Sequence, residues 1–431
     1  MRKRFCCGFW MLAAASLLPL AVWAQTAQDR AAAAGELARL KRQKVLRLFG
    51  PEAKERGFAH GYLLGDEIVA CIAEAFSSLP LFTAEKFEQR LRPWALRQFH
   101  WDAEARAELE GLYEGLLARV GSEGLRSEFL GRQLQPEDLY AINVIADYFG
   151  PGCSGFTAAG ALTEGGRTVH GRNLDFPLGN RAAARQIVFA VDPLPARDGR
   201  PARRAWVGVG WPGLATFYSA MNAEGLVCCL HDAENVIRSG PRDGYAPRGL
   251  LLRRIVETID PAAGDPAEAA RAMAAERPSA CGNLFHLSWP RAATKTTGTR
   301  PAAVLEFDAA GRQEGGTPVD VRRMDETDFL PLTNHYCVRK SPPECDRFRR
   351  LLAGAAAIRE SGRTIDLQTA RRLLASVELP VAAHTLVFFP DERRLCVSIS
   401  VGSVLSTRRP GVEFAWQELF ERKEAGAQRQ E

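Results

Sequence analysis

The spacing of apolar residues changes character once along the chain, near residue 150. Before it, apolar positions recur at helical intervals in runs rich in Ala, Leu, Glu, Lys and Arg, over 31–49, 65–76 and 103–120. Strand signals are scarce there, so the whole stretch from Gln28 to Tyr148 is expected to be helical. The last helix, 136–148, is predicted from Pro-Glu-Asp in its first turn and from Gly150-Pro151-Gly152, which ends it. After Cys153 short apolar runs alternate with turn residues. They predict strands over 154–162, 168–176, 186–191, 205–209, 216–221 and 226–231, the first two joined through Gly165-Gly166. Helices over 248–259 and 266–275 precede strands over 283–288 and 303–307. Two more helices, 347–360 and 366–376, precede a closing hairpin of 385–389 and 395–399 around Pro390-Asp391-Glu392-Arg393. Strands, then helices, then strands argue an α+β fold with helices stacked on antiparallel sheets.

The first 24 residues break the pattern. Arg2, Lys3 and Arg4 precede an apolar run from Phe5 to Ala24 that ends in Val22-Trp23-Ala24, the form of a secretory signal. The same run is long enough to act as an uncleaved anchor, since about 20 apolar residues span a bilayer. No later stretch is long and apolar enough to span, so a secreted or periplasmic protein is expected, with no stable membrane insertion once the signal is removed. The net charge of +5 owes three of its positive charges to that leader, and what remains is too small to suggest nucleic acid as a partner.

Export bears on the cysteines, because disulfides persist in oxidising compartments. Eight of the ten lie beyond the leader, at irregular spacing in a chain that does not need a disulfide framework. Cys228 and Cys229 sit in an apolar run and read as core. Cys337 and Cys345 flank Ser341-Pro342-Pro343 and could close a short loop. No paired Cys-x-x-Cys and no His-Glu-x-x-His occurs, so neither a metal nor another cofactor is expected.

Candidate chemistry concentrates at the change of texture. Gly152-Cys153-Ser154-Gly155-Phe156 is followed by Gly171-Arg172-Asn173-Leu174-Asp175, and a hairpin through Gly165-Gly166 returns Arg172 and Asp175 beside Cys153. A guanidinium near a thiol favours the thiolate, which is the nucleophile. The residues alone leave two readings open: a reactive thiol, or a packed cysteine beside a structural Arg-x-x-Asp pair.

Together with Met221-Asn222-Ala223-Glu224-Gly225-Leu226, these motifs resemble the autoproteolytic amidohydrolases of the amino-terminal-nucleophile superfamily, in particular the acyl-coenzyme A:isopenicillin N acyltransferase-like family. Bile salt and penicillin V hydrolases are more distant relatives. The resemblance covers 153–431 and, more weakly, the segment before it around Glu55-Arg56-Gly57 and Gly65-Asp66-Glu67-Ile68. Shorter matches are Gly282-Asn283-Leu284-Phe285, Leu332-Thr333-Asn334-His335-Tyr336 and Asp346-Arg347-Phe348. One departure is Ala220, where a glycine commonly precedes the Met-Asn pair.

The resemblance implies a four-layer αββα sandwich. It divides the chain into a leader (1–24), a helical propeptide or α chain (25–152) and a catalytic β chain (153–431). It implies that Cys153 attacks the Gly152 carbonyl and emerges as a new amino terminus, whose α-amine, titrating near pH ~8, serves as base for its own thiol. Arg172 would stabilise the thiolate and orient substrate, and Asp175 would hold the α-amine. Asn222 and Asn283 would lie around the oxyanion hole, and Arg347 would match a later arginine of the bile salt hydrolase site.

The implied activity is hydrolysis of the amide bond of a small N-acyl compound. Alternatives are an acyltransferase, a phospholipase B-like esterase, and an unprocessed thiol protease pairing Cys153 with His335 and Asn334. His231 and His335 read otherwise as structural histidines. Trp206, Trp211, Phe217 and Tyr218 are either core or the lining of an acyl pocket. Water is the expected acceptor, because the leader directs the chain away from coenzyme A and no Gly-rich phosphate loop is present.

Overall fold

A strand such as Ala382–Phe389 has no polar face, and all eight of its residues are buried. Such a strand needs a layer on each side. The protein, described here from a computed structural model over residues 25–150, 152–193, 203–233, 244–308 and 319–421, supplies both. Its six-stranded sheet runs Phe329–Leu332, Gly152–Gly160, Gly166–Asp175, Ala382–Phe389, Arg394–Ile399, Val412–Ala415, every neighbour antiparallel. The nine-stranded sheet runs Gly35–Leu40, Gln43–Phe49, Ile187–Asp192, Trp206–Gly210, Ser219–Asn222, Val227–Asp232, Asn283–Ser288, Ala302–Phe307, Asp320–Arg323. Within it only Gln43–Phe49 and Ile187–Asp192 pair in parallel.

The two sheets face each other through one apolar cluster, in which Val188, Val207, Val209 and Met221 of the large sheet meet Leu386, Phe388, Val397 and Phe414 of the small one. The outer face of the small sheet, with Phe156, Val169 and Val387, is covered by Leu351, Ala355, Ala370 and Leu374 from the helices Asp346–Glu360 and Leu367–Ala375. The outer face of the large sheet packs under Ala53–Leu63, Gly65–Ser78, Ala103–Gly124, Arg248–Thr258 and Pro266–Ala275. The result is the four-layer αββα sandwich.

Most strands and helices after residue 150 fall within a few residues of their expected bounds. Before it, the helices expected over 65–76 and 103–120 are present as Gly65–Ser78 and Ala103–Gly124, but two other stretches depart. The stretch 31–49, expected to be helical, holds the hairpin Gly35–Leu40 and Gln43–Phe49, turning at Lys41, whose φ is 55°. Parallel pairing with Ile187–Asp192 buries Val45, Leu46 and Leu48, and that tertiary contact outweighs the local helix preference of Leu, Lys and Arg. The helix 136–148 is broken at Val144 into Pro136–Asn143 and Ile145–Phe149. The residues preceding Gly152 thus supply two strands and an outer layer of the same core.

Glycines inside the early helices have a packing cause. Ala53–Leu63 and Ala103–Gly124 touch backbone to backbone, and a methyl added at Gly57 or Gly61 would strike the Glu108 or Leu112 carbonyl. One at Gly111 or Gly115 would strike the Lys54 or Phe58 carbonyl.

Candidate active site

Cys153 lies one residue into the Gly152–Gly160 strand, beside the strand that carries Arg172 and Asp175. The antiparallel register sets Gly152 opposite Asp175, Cys153 opposite Leu174 and Gly155 opposite Arg172. The turn between them uses Gly165 and Gly166 at φ of 62° and 69°, a backbone region that costs glycine little. The hairpin expected from the sequence is therefore present and brings the three residues together.

Arg172 is fully buried, and its Nη2 stands 2.7 Å from Cys153 Sγ. Its remaining bonds fix it from below: Nη1 donates to the Tyr218 carbonyl and the Ser219 hydroxyl, both at 2.5 Å, and Nη2 to the Leu230 carbonyl at 3.0 Å. A second guanidinium approaches from the Asp346–Glu360 helix. Arg347 Nη1 donates to the Cys153 carbonyl at 3.1 Å and to Asp175 Oδ2 at 3.3 Å, while Nη2 donates to Asn334 Oδ1 at 3.0 Å. That same Asn334 oxygen accepts the Cys153 N–H at 2.9 Å, and its amide donates to the Asp232 carbonyl at 2.7 Å. Both peptide groups of Cys153 are held by side chains.

The electrostatics correct one expectation. Arg172 does pull the Cys153 thiol toward ionisation, but burial outweighs it, with Asp175 adding in the same direction, and the thiol is pushed up to about 11. Cys153 is thus held as a protonated thiol beside the Arg172 guanidinium. Burial likewise raises Asp175 to about 7, against the opposing pull of Arg347 and Arg172. Its Oδ1 is buried without a hydrogen-bond partner.

Asn222 and Asn283 are engaged elsewhere. Asn222 donates to the Val256 and Ile259 carbonyls at 3.0 and 2.9 Å and accepts from the N–H groups of Glu224 and Leu226, which shapes the turn after its strand. Asn283 donates to the Ser279 hydroxyl and the Cys281 carbonyl and receives Arg248 Nη1 at 3.3 Å. Both side-chain amides thus serve structural acceptors. The asparagine at Cys153 is Asn334, which the sequence offered in the short run 332–336 and, with His335, as a partner of Cys153 in the thiol-protease alternative; here it meets the Cys153 N–H. Ser219, which orients Arg172, carried no sequence signal at all.

His335 turns Nδ1 to the Thr333 hydroxyl at 3.0 Å and lies tilted against Phe348, whereas both ring nitrogens of His231 are buried without partners. No Cys–His dyad emerges from these contacts. Trp206, Trp211, Phe217 and Tyr218 are buried and pack on one another and on Phe176 and Phe189. They are core. A cavity of about 250 Å³ bounded by Glu108, Leu250, Arg253 and Met273 lies between outer helices, whereas Cys153 is itself fully buried. Among the described residues no cluster of three or more His, Cys, Asp or Glu side chains is arranged to hold a metal ion, and no helix is long and apolar enough to cross a membrane. The leader lies outside the described residues.

No protein-family model matches the sequence, and no curated protein is similar to it at a significant level. Among solved structures, it is similar to the Caenorhabditis elegans ortholog of N-acylethanolamine-hydrolyzing acid amidase, at 15% identity over 56% of this chain and 93% of that one, with a TM-score of 0.38. It is also similar to a variant of the conjugated bile acid hydrolase from Clostridium perfringens, at 13% identity, 63% and 95% coverage and a TM-score of 0.42. A third is the penicillin V acylase from Agrobacterium tumefaciens, at 12% identity, 58% and 84% coverage and a TM-score of 0.39.

Proposed function

We propose that the chain is an exported amidohydrolase that cuts itself between Gly152 and Cys153 and then hydrolyses the amide bond of a small N-acyl compound. The observation that carries this reading is the enclosure of Cys153: Arg172 at its sulfur at 2.7 Å, Asn334 at its N–H and Arg347 at its carbonyl.

In the self-cleavage step Sγ attacks the Gly152 carbonyl carbon and the Cys153 nitrogen departs, taking up a proton. Water then hydrolyses the thioester, leaving a Gly152 carboxylate, a free thiol and an α-amine. Two observations support a held amine: the Cys153 nitrogen lies 2.9 Å from Asn334 Oδ1, and Asp175, opposite Gly152 across the hairpin, has an Oδ1 with no hydrogen-bond partner. An α-amine near pH ~8 is a base matched to neutral solution. It accepts the thiol proton, and Arg172 stabilises the thiolate that attacks the substrate carbonyl. Water as acceptor completes hydrolysis.

The test is denaturing electrophoresis of the purified mature chain, followed by assay on N-acyl amino acids, penicillins and bile salt conjugates. Two fragments from the unaltered chain, one uncut chain after Cys153→Ala, and turnover of an amide are expected. A Cys153→Ala chain that still splits at Gly152 assigns the cut to an outside protease. Turnover confined to acyl thioesters with amine acceptors makes the protein a transferase.

A further inference from the structure

Eight cysteines fall in the described residues; six are buried, and only Cys337 and Cys345 are partly exposed. Both thiols are free, so the loop closure considered from the sequence is absent in this state. Their position is informative nonetheless. Cys345 is the residue that begins the helix Asp346–Glu360, two positions before Arg347, and Cys337 follows Asn334 by three. Asn334 and Arg347 are hydrogen-bonded to each other at 3.0 Å. The loop 338–344 thus rises from the two residues that hold Cys153, with one cysteine at each root.

We propose that Cys345 and Cys337 form a dithiol that closes to a disulfide across the loop 338–344 and staples the Asn334–Arg347 pair. Cys345 has the character of the attacking thiol. Its Sγ lies 3.5 Å from the Thr333 hydroxyl, which also bonds His335 Nδ1 at 3.0 Å. Burial raises the Cys345 thiol, but the Thr333 hydroxyl, the N–H groups of Phe348 and Arg347 in the first helical turn, and the Arg347 charge together bring it below the ordinary thiol range. Cys337 is raised, by burial first and by Glu306 and Cys345 in addition, against the pull of Arg322. A more acidic thiol that attacks and a less acidic one that resolves is the asymmetry such an exchange needs.

The oxidant is an external disulfide of the glutathione type. The Cys345 thiolate, its proton given to solvent, attacks one sulfur of that disulfide, forming a mixed disulfide and expelling one external thiolate. Cys337 gives its proton to that thiolate and attacks Cys345 Sγ, expelling the second, which is protonated from solvent. Two protein thiols are oxidised and one external disulfide is reduced to two thiols. Closing the loop removes freedom from its two roots, so Asn334 and Arg347 remain in register under conditions that loosen the helix start.

The experiment uses the full chain incubated with oxidised glutathione, alkylated and digested with trypsin without reduction. Arg339 and Lys340 lie between the cysteines, so trypsin separates them unless a disulfide joins the peptides. A joined peptide is expected, and in Cys337→Ser glutathione should accumulate on Cys345 about tenfold faster than on Cys337 in Cys345→Ser. No joined peptide, or equal rates, overturns the dithiol. The stapling, which rests on the proposed amidohydrolase, is read as a half-life of activity in moderate urea about fivefold longer for the oxidised chain, a difference absent in either serine variant. Equal half-lives with the joined peptide present overturn the staple alone. The linkage is read by mass, independent of whether the chain hydrolyses amides.

Discussion

Asn334 and Arg347 meet at 3.0 Å and between them hold both peptide groups of Cys153, the N–H on Asn334 Oδ1 at 2.9 Å and the carbonyl on Arg347 Nη1 at 3.1 Å. A residue held at both ends cannot rotate its Cα–Cβ bond away from the preceding carbonyl by backbone motion. The pair is therefore expected to govern self-cleavage before it governs hydrolysis. A buried hydrogen bond to a charged partner contributes about 1.5–3 kcal/mol. Asn334→Ala and Arg347→Gln should each slow appearance of the two fragments about ten- to a hundredfold, measured by timed electrophoresis after refolding. Cleavage at the unaltered rate in both variants removes the pair from the reaction.

Asp175 gives a pH signature. Its carboxyl, raised to about 7 by burial, must be ionised to hold an α-ammonium group. The α-ammonium formed on cutting pulls that value down, so hydrolysis by the cut enzyme is expected to fall along an acid limb lying below pH 7, as the carboxylate form is lost. In a chain that has already been cut, Asp175→Asn should depress the rate and flatten that acid limb. An unchanged limb in the asparagine variant assigns the titration to another group.

The hairpin of Cys153, Arg172 and Asp175 was readable from the sequence because everything it needs is local: a glycine turn, alternation on either side, and two polar residues set to return beside Cys153. The strands Gly35–Leu40 and Gln43–Phe49 were not, since Ile187–Asp192, which pairs with the second of them, lies more than a hundred residues away and nothing in the Leu-Lys-Arg composition announces it. Asn222 and Asn283 show the converse difficulty. An asparagine in a matching motif looks the same whether its amide faces a substrate or caps a turn, and only the placement of the Val256, Ile259 and Cys281 carbonyls decides. The rise of the Cys153 thiol was also beyond the sequence, because Arg172 was legible and complete burial was not.

Acid should unfold the protein through its interior histidines. His60, His170, His231, His286 and His384 are fully buried, and burial lowers all five, His60 and His170 to about 3. A histidine depressed in the folded state stabilises it above the unfolded value near 6.5, and that contribution is lost as pH falls toward the folded one, at about 1.4 kcal/mol per pH unit for each group. Asp147 and Asp175, raised to about 7, act in the opposite sense between about 4 and 7, but they are two against five. Melting temperature is expected to drop steadily below pH 6.5, with uptake of more than one proton per molecule on unfolding. A melting temperature that rises between pH 6.5 and 4.5 contradicts this balance.

The cut chain should remain one particle. Gln43–Phe49 lies inside the nine-stranded sheet, and Leu46, Leu48, Ile68 and Leu112 are buried in the core it shares with residues beyond the cut. The contact that makes this layer possible is the backbone approach of Ala53–Leu63 to Ala103–Gly124, where Gly61 faces the Leu112 carbonyl and Gly111 the Lys54 carbonyl. A methyl group at either position has nowhere to go, because the obstacle is main chain rather than a side chain that can swing aside. Overpacking of this kind costs about 1–3 kcal/mol. Gly61→Ala and Gly111→Ala should each lower the melting temperature by several degrees, whereas Gly264→Ala, with no atom in reach of the new methyl, should not. The cut wild-type chain should elute as a single species on gel filtration and separate into fragments only in denaturant. Release of the fragment before Cys153 without denaturant would mean that the two strands and the glycine-packed helices do not hold the layers together.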